Sequence, residues 1–195
     1  VDIAENLPGG QHLKAVRMQA YWLPVGYPWK LLEANRFLLA RDPPSATSWN
    51  EGTLGPDVTV EPPVLIGPDT VVEAGCTLGA GTTLGRNCHV AAGSRLLNCL
   101  IMDNVRVGEN CHLEDSIVMD NVVIAPETLT LTQTPDGSPV RSRVKGEPID
   151  TGRHSLGAVF AHDVQVGARC RFHPGVKIWP GRRIPAGRDV TRDVE

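Results

Sequence analysis

A basic excess is the first thing this chain lacks. Nineteen Lys and Arg stand against 22 Asp and Glu, a net charge of −3 over 195 residues, so nothing here is built to neutralise a nucleic-acid backbone or an anionic bilayer. No apolar run approaches the length of a membrane span, and the opening residues lack a secretory signal pattern. The expectation is a soluble, cytoplasmic protein with neither nucleic-acid nor membrane partners. The five cysteines, Cys76, Cys88, Cys99, Cys111 and Cys170, include no Cys-x-x-Cys pair, which removes the common zinc and redox spacings. Missing too, through most of the chain, are the helical period of 3.6 and the strand period of 2.

In their place is a period of six. Leu54, Val60, Ile66, Val72, Leu78, Leu84 and Val90 are each followed four residues later by Val, Thr, Cys or Ser. This is the hexapeptide repeat of a parallel β-helix with three short strands per coil. Further units begin at Leu96, Ile101, Val107, Leu113, Val118 and Ile124, and the units at 96 and 113 hold only five residues. Three units apart, those two belong to one wall of the prism. After a break the period resumes at Phe160, Val166, Phe172, Ile178 and Ile184. The expected fold is mainly β, a left-handed parallel β-helix, the hand of hexapeptide helices being an exception to the right-handed crossover rule.

The small fifth residues, Cys76, Thr82, Cys88, Ser94, Cys111 and Cys170 among them, should point inward, where only short or β-branched side chains fit. Gly67, Gly75, Gly79, Gly81, Gly85, Gly108 and Gly167 suit corners that need positive φ. Cys76 and Cys111 share a face with Ser94 between them, about 10 Å apart at the usual strand spacing, which is too far for a disulfide. The cysteines therefore read as buried thiols. Arg182 and Arg188 occupy inward positions that cannot hold an unpaired guanidinium, so the last coils must loosen or turn them outward.

Two segments stand outside the repeat. Residues 1–44 carry a predicted strand over Lys14 to Leu23 and a helix over Trp29 to Ala40 opened by Pro28, with a polar linker from Ser45 to Gly52. Alone they bury too little to be a domain. The second segment is an arm, residues 130–159, inserted into the β-helix domain of residues 45–195 and holding Arg141, Arg143, Lys145, Gly146 and Arg153. Long insertions in compact repeats are commonly functional.

The stretch Tyr21-Trp22-Leu23-Pro24-Val25-Gly26-Tyr27-Pro28-Trp29, followed by Leu32-Glu33-Ala34-Asn35, resembles the end of the catalytic domain in sugar-1-phosphate nucleotidylyltransferases. Val144 to Ala158 and His173-Pro174-Gly175-Val176-Lys177-Ile178 are similar to the β-helix of archaeal-type bifunctional members, which pair nucleotidylyl transfer with acetyl transfer from acetyl-CoA to an amino-sugar phosphate. The resemblance implies that residues 1–44 are the C-terminal remnant of a nucleotidylyltransferase domain. Its nucleotide-binding half, with the glycine-rich loop for the triphosphate, is not in this sequence, and Pro24 stands where many relatives carry a metal-binding Asp. Mg2+ belongs only to that missing domain, and nucleotidyl transfer by this chain is not expected.

Aligned on Asp115-Ser116, the His of the family's acetyl-transfer site falls on Glu109, its Tyr on His112 and its Asn on Thr132. A general base has to reach the attacking amine. His112 is the imidazole left nearby, and reads either as that base or as a solvent-facing histidine. Lys145, Gly146, Arg153, Gly157, Ala158 and Lys177 are the resemblance's candidates for binding acetyl-CoA or a sugar phosphate. Two functions stay open: the C-terminal domain transfers acetyl to an amino-sugar 1-phosphate, or it is a non-catalytic trimerisation or regulatory β-helix. Either implies a homotrimer working in nucleotide-sugar biosynthesis. A β-helix metalloenzyme is a third class, but His89 and His112 fall on different faces and no three histidines are expected to converge.

Overall fold

The computed structural model describes residues 22–41 and 49–195. Strands of mostly two residues, such as Leu65–Ile66, Val71–Val72 and Thr77–Leu78, alternate with tight bends and stack into three parallel sheets of seven strands each. The result is a left-handed parallel β-helix with one short helix outside it. We call the sheets walls A, B and C, containing respectively Leu65–Ile66, Val71–Val72 and Thr77–Leu78. Leu65 pairs with Thr83, and Thr83 with Leu100. The two five-residue units share wall C, where Leu96 pairs with Leu113. Wall A starts earlier than the repeat suggests: Trp49–Asn50, placed by the sequence in a linker, already pairs with Leu65–Ile66.

The interior is a column of aliphatic side chains, closed near its C-terminal end by Phe160 and Phe172, edge to face with ring centroids 4.8 Å apart. Small polar residues beside it close onto the next coil. Thr70 Oγ1 donates to Gly85 O, Ser94 Oγ to Gly108 O, and Cys88 Sγ to Met102 O. All five cysteines are buried free thiols. Cys99 is inward too, although it is not a fifth residue. Its unit lacks one residue, so the fourth side chain takes the inward place, as Ser116 does one coil later.

The corners correct the reading of the glycines. Gly75 and Gly81 do have positive φ. Gly67, Gly79, Gly85, Gly108 and Gly167 do not; a side chain at each would strike the next coil, as at Gly108, where it would meet Pro126. Left-handed corner conformations fall largely to Asn and Asp, which tolerate them through local hydrogen bonds, at Asp57, Asp69, Asn87, Asn104, Asn110, Asn121 and Asp163. Four of these form a ladder. Asn87 Nδ2 donates to Asn104 Oδ1, Asn104 to Asn121, and Asn121 to Asp163 Oδ1. Arg182 and Arg188 are exposed, turned out as a guanidinium must be.

Helix α1, Lys30–Arg41, follows Pro28 as expected, and Leu32 and Trp29 are buried against wall A beside Ile117 and Val159. Residues 14–21 of the predicted N-terminal strand lie outside the described residues. The arm is ordered as an antiparallel hairpin of Arg141–Val144 and Glu147–Asp150. It contributes Val140, Val144, Ile149 and Leu156 to the apolar cluster under α1. Helix and arm thus cover one wall and leave B and C open.

Candidate functional site

Three segments far apart in sequence meet at the corner where wall C turns into wall A. Asn98 and Asp115 occupy equivalent places in successive coils, both with positive φ and both buried. Asp115 receives Asn98 Nδ2 on one oxygen and the Ser155 hydroxyl on the other. Arg153 brings Nη2 to 3.6 Å from Asp115 and donates Nε to Ser155 O. From α1, Arg36 Nε donates to Asn98 Oδ1 at 2.7 Å. Its neighbour Asn35 reaches the preceding coil, donating to Gly81 O and accepting from Thr83 Oγ1. Helix, prism and arm are therefore joined through one buried carboxylate. Removing one partner of such a buried pair commonly costs about 3–5 kcal/mol, because the other is left without its counter-charge.

Most of the predicted ligand-binding residues also have a place in the fold. Lys145 and Gly146 are the two central residues of the hairpin turn, with φ of 51° and 86°. Positive φ at both positions is the type I′ signature that matches strand twist. Arg153 is bound to Asp115. Gly157 lies where any side chain would strike Glu114 O and the Ser116 hydroxyl, and Ala158, fully buried, donates its N–H to Ser116 Oγ. Lys177 Nζ is 2.7 Å from Asp193 Oδ2 and donates to Ser142 Oγ at 2.8 Å, with both charges largely buried. His112 begins the wall C strand His112–Glu114, half exposed, its Nε2 3.9 Å from Glu114 Oε2. It stands on wall C, whereas the Lys145-Gly146 turn belongs to the arm over wall A.

Exposed cations remain on the arm. Arg141 and Arg143 alternate with buried Ser142 along one hairpin strand, and Lys145 follows at the turn. The sequence named these residues without showing that they form one outward row. Three closer imidazole–carboxylate pairs went unnoticed: His89 with Glu73 at 3.0 Å, His162 with Asp120 at 3.3 Å, and His173 with Asp189 at 3.0 Å. Each partner comes from a neighbouring coil, so only the register brings the two together. His89 lies on wall B and His112 on wall C, and among the described residues no three His, Cys, Asp or Glu converge as metal ligands.

Burial pushes the Cys99 thiol from 9.0 up to about 12 and Cys111 up to about 11. Neither is a nucleophile at neutral pH.

Beneath α1 an apolar groove of about 400 Å³ runs between the Val25–Pro28 segment and the outer surface of wall A, lined among others by Tyr27, Met119, Ala161 and Trp179.

The family model described as GMPPB C-terminal domain matches residues 60–185. The "Bifunctional protein GlmU" of Methanococcus aeolicus is 32% identical over 212 residues, covering 100% of this chain and 50% of that protein. The "Bifunctional sugar-1-phosphate nucleotidylyltransferase/acetyltransferase" of Sulfurisphaera tokodaii is 30% identical, covering 98% of this chain and 52% of that protein. The chain spans about half the length of the curated relatives it matches. Among solved structures, the acetyltransferase domain of PglB from Neisseria gonorrhoeae covers 80% of this chain and 61% of its own at 18% identity and a TM-score of 0.31, a likeness too distant to bear on function.

Proposed function

We propose, from the premise that the chain belongs to the GMPPB C-terminal domain family, that it is the β-helix portion of a sugar-1-phosphate nucleotidylyltransferase of nucleotide-sugar biosynthesis, and that this portion is the platform on which the nucleotidyl-transferring half is held. In this reading residues 1–44 end the upstream domain and 45–195 form the platform. The observation that carries it is the seating of α1. Asn35 and Arg36 are spent on Gly81, Thr83 and Asn98 of the prism, and a helix tied by directional hydrogen bonds fixes orientation as well as affinity. The platform acts as a cytoplasmic homotrimer, since closed symmetry is the common way such prisms bury an open wall. Mg2+ and the nucleotide are bound by the upstream half alone, and the sugar 1-phosphate is its substrate.

The test compares this chain with the gene product that carries the upstream half. Pyrophosphate release from a nucleoside triphosphate and a sugar 1-phosphate is expected only from the longer protein. An Asn35→Ala, Arg36→Ala variant of it should lose that activity at a lower temperature. Turnover by the chain alone, or an unchanged inactivation temperature, overturns the platform reading.

The outward row Arg141, Arg143 and Lys145 supports a second reading, transfer of acetyl from acetyl-CoA to an amino-sugar 1-phosphate. These cations suit the phosphates of acetyl-CoA, and His112 would take the proton of the attacking amine as its nitrogen bonds to the acetyl carbonyl carbon, the thioester C–S bond breaks and the thiolate leaves. Thr132 and Glu109 supply neither the amide nor the imidazole that relatives place there, so the reading predicts binding with slow turnover. Acetyl-CoA that fails to bind at millimolar concentration by calorimetry removes it.

A further inference from the structure

The groove under α1 is ringed by large apolar side chains that no other described residue covers. Trp179 is 49% exposed, Val25 48% and Tyr27 39%. Three of the seven exposed large hydrophobics of the described residues thus gather at one place, whereas scattered single ones would need no explanation. A small-molecule site is a poor fit. Such sites orient their ligand with a few placed polar groups, and the one charged lining residue, Lys177, already gives its Nζ to Asp193 and Ser142.

What the groove does adjoin is the entry of the polypeptide. Its outer lip is Val25 to Pro28, the segment by which the chain arrives at α1, and about half the length of the relatives lies outside the part this chain matches, a half that the platform reading places upstream. We propose that the groove seats an apolar ridge of the upstream half, with Trp179 as the anchor, a contact that rests on the platform reading and adds to it a second point of attachment beyond the α1 hydrogen bonds. Two attachments differ from one in kind. A helix held at one end is a hinge, whereas a helix plus a filled groove on the same wall fixes the angle between the halves.

The test is acrylamide quenching of tryptophan fluorescence. The chain has four tryptophans, and the difference between wild type and Trp179→Phe isolates the signal of Trp179. In this chain alone Trp179 should quench freely at every protein concentration. In the gene product with its upstream half its quenching constant should fall by about threefold or more. Equal quenching in both proteins overturns the inference, as does a gene product with no upstream half. Shielding that grows with the concentration of this chain alone assigns the groove to a second copy and also overturns it. Nucleotidyl transfer measured on the same longer protein separates the two failures: activity with an accessible Trp179 leaves the platform reading standing and sinks only the groove.

Discussion

Gly157 shows how a motif residue can be required by the fold itself. It returns the arm to the prism, and its Cα passes so close to Glu114 O and Ser116 Oγ that no side chain fits. Gly157→Ala should therefore destabilise the fold by about 2–3 kcal/mol in a urea titration, the cost of overpacking against backbone. Gly26→Ala, with open space around it, should stay within about 0.5 kcal/mol of wild type. The buried thiols give a pH signature. Cys99 and Cys111 keep their protons in the folded state up to about 12 and 11, whereas the unfolded chain releases them near 9.0. Below 9 both states are protonated and the contribution of these groups is constant. Above 9 the unfolded state binds fewer protons, so stability is lost as pH rises toward 11 and 12. Urea midpoints measured between pH 8 and 10.5 should fall, and Cys99→Ser, Cys111→Ser should flatten that decline.

At the scale of elements, the sequence gives away the coils and conceals the contacts between them. Most strands of the prism are announced by an apolar residue at a spacing of six, or of five in the two short units, because each coil repeats the same steric problem, whereas Trp49–Asn50 carries no such mark. Helix α1 is equally legible from Pro28 and its leucines. The hairpin was not foreseen, although Lys145-Gly146 flanked by alternating Arg141, Ser142, Arg143 and Val144 contains the necessary signal. A lysine and a glycine in a resembled family motif read as a ligand loop, and the turn geometry they share with hairpins was hidden by that reading. Asp115 was legible only as an alignment anchor. Its partners lie 17, 38 and 40 residues away in sequence, at Asn98, Arg153 and Ser155, and no periodicity encodes them. The hairpin makes its own prediction. Gly146→Ala places a Cβ at a φ of 86° and should weaken the arm by about 1 kcal/mol. Proteolysis within residues 141–150 should accelerate while the unfolding midpoint of the prism stays put.

For the whole molecule, three walls do different work. Wall A is occupied by α1, the arm and the apolar groove, and the proposals place the upstream half there. Walls B and C carry the outward His89 and His112, and the proposed trimer would form through them. Sedimentation equilibrium at micromolar concentration should return the mass of three chains, and a clean monomer would contradict that arrangement.

The arm also interrupts the order in which the prism can zip. Most successive strands pair across 17 or 18 residues, as in Leu84 with Ile101 and Ile66 with Leu84. Val118, however, pairs with Phe160, 42 residues on. Closing that longer loop costs about 0.8 kcal/mol more by chain statistics alone. In a stack where each coil touches only its neighbours, this is enough to set a seam. Coils up to Thr130 and coils from Val159 onward should behave as two cooperative blocks. Native-state hydrogen exchange should find the amides of the later block opening together, at lower free energy than those of the earlier one, so that the molecule unravels from its C-terminal end to the arm and pauses there.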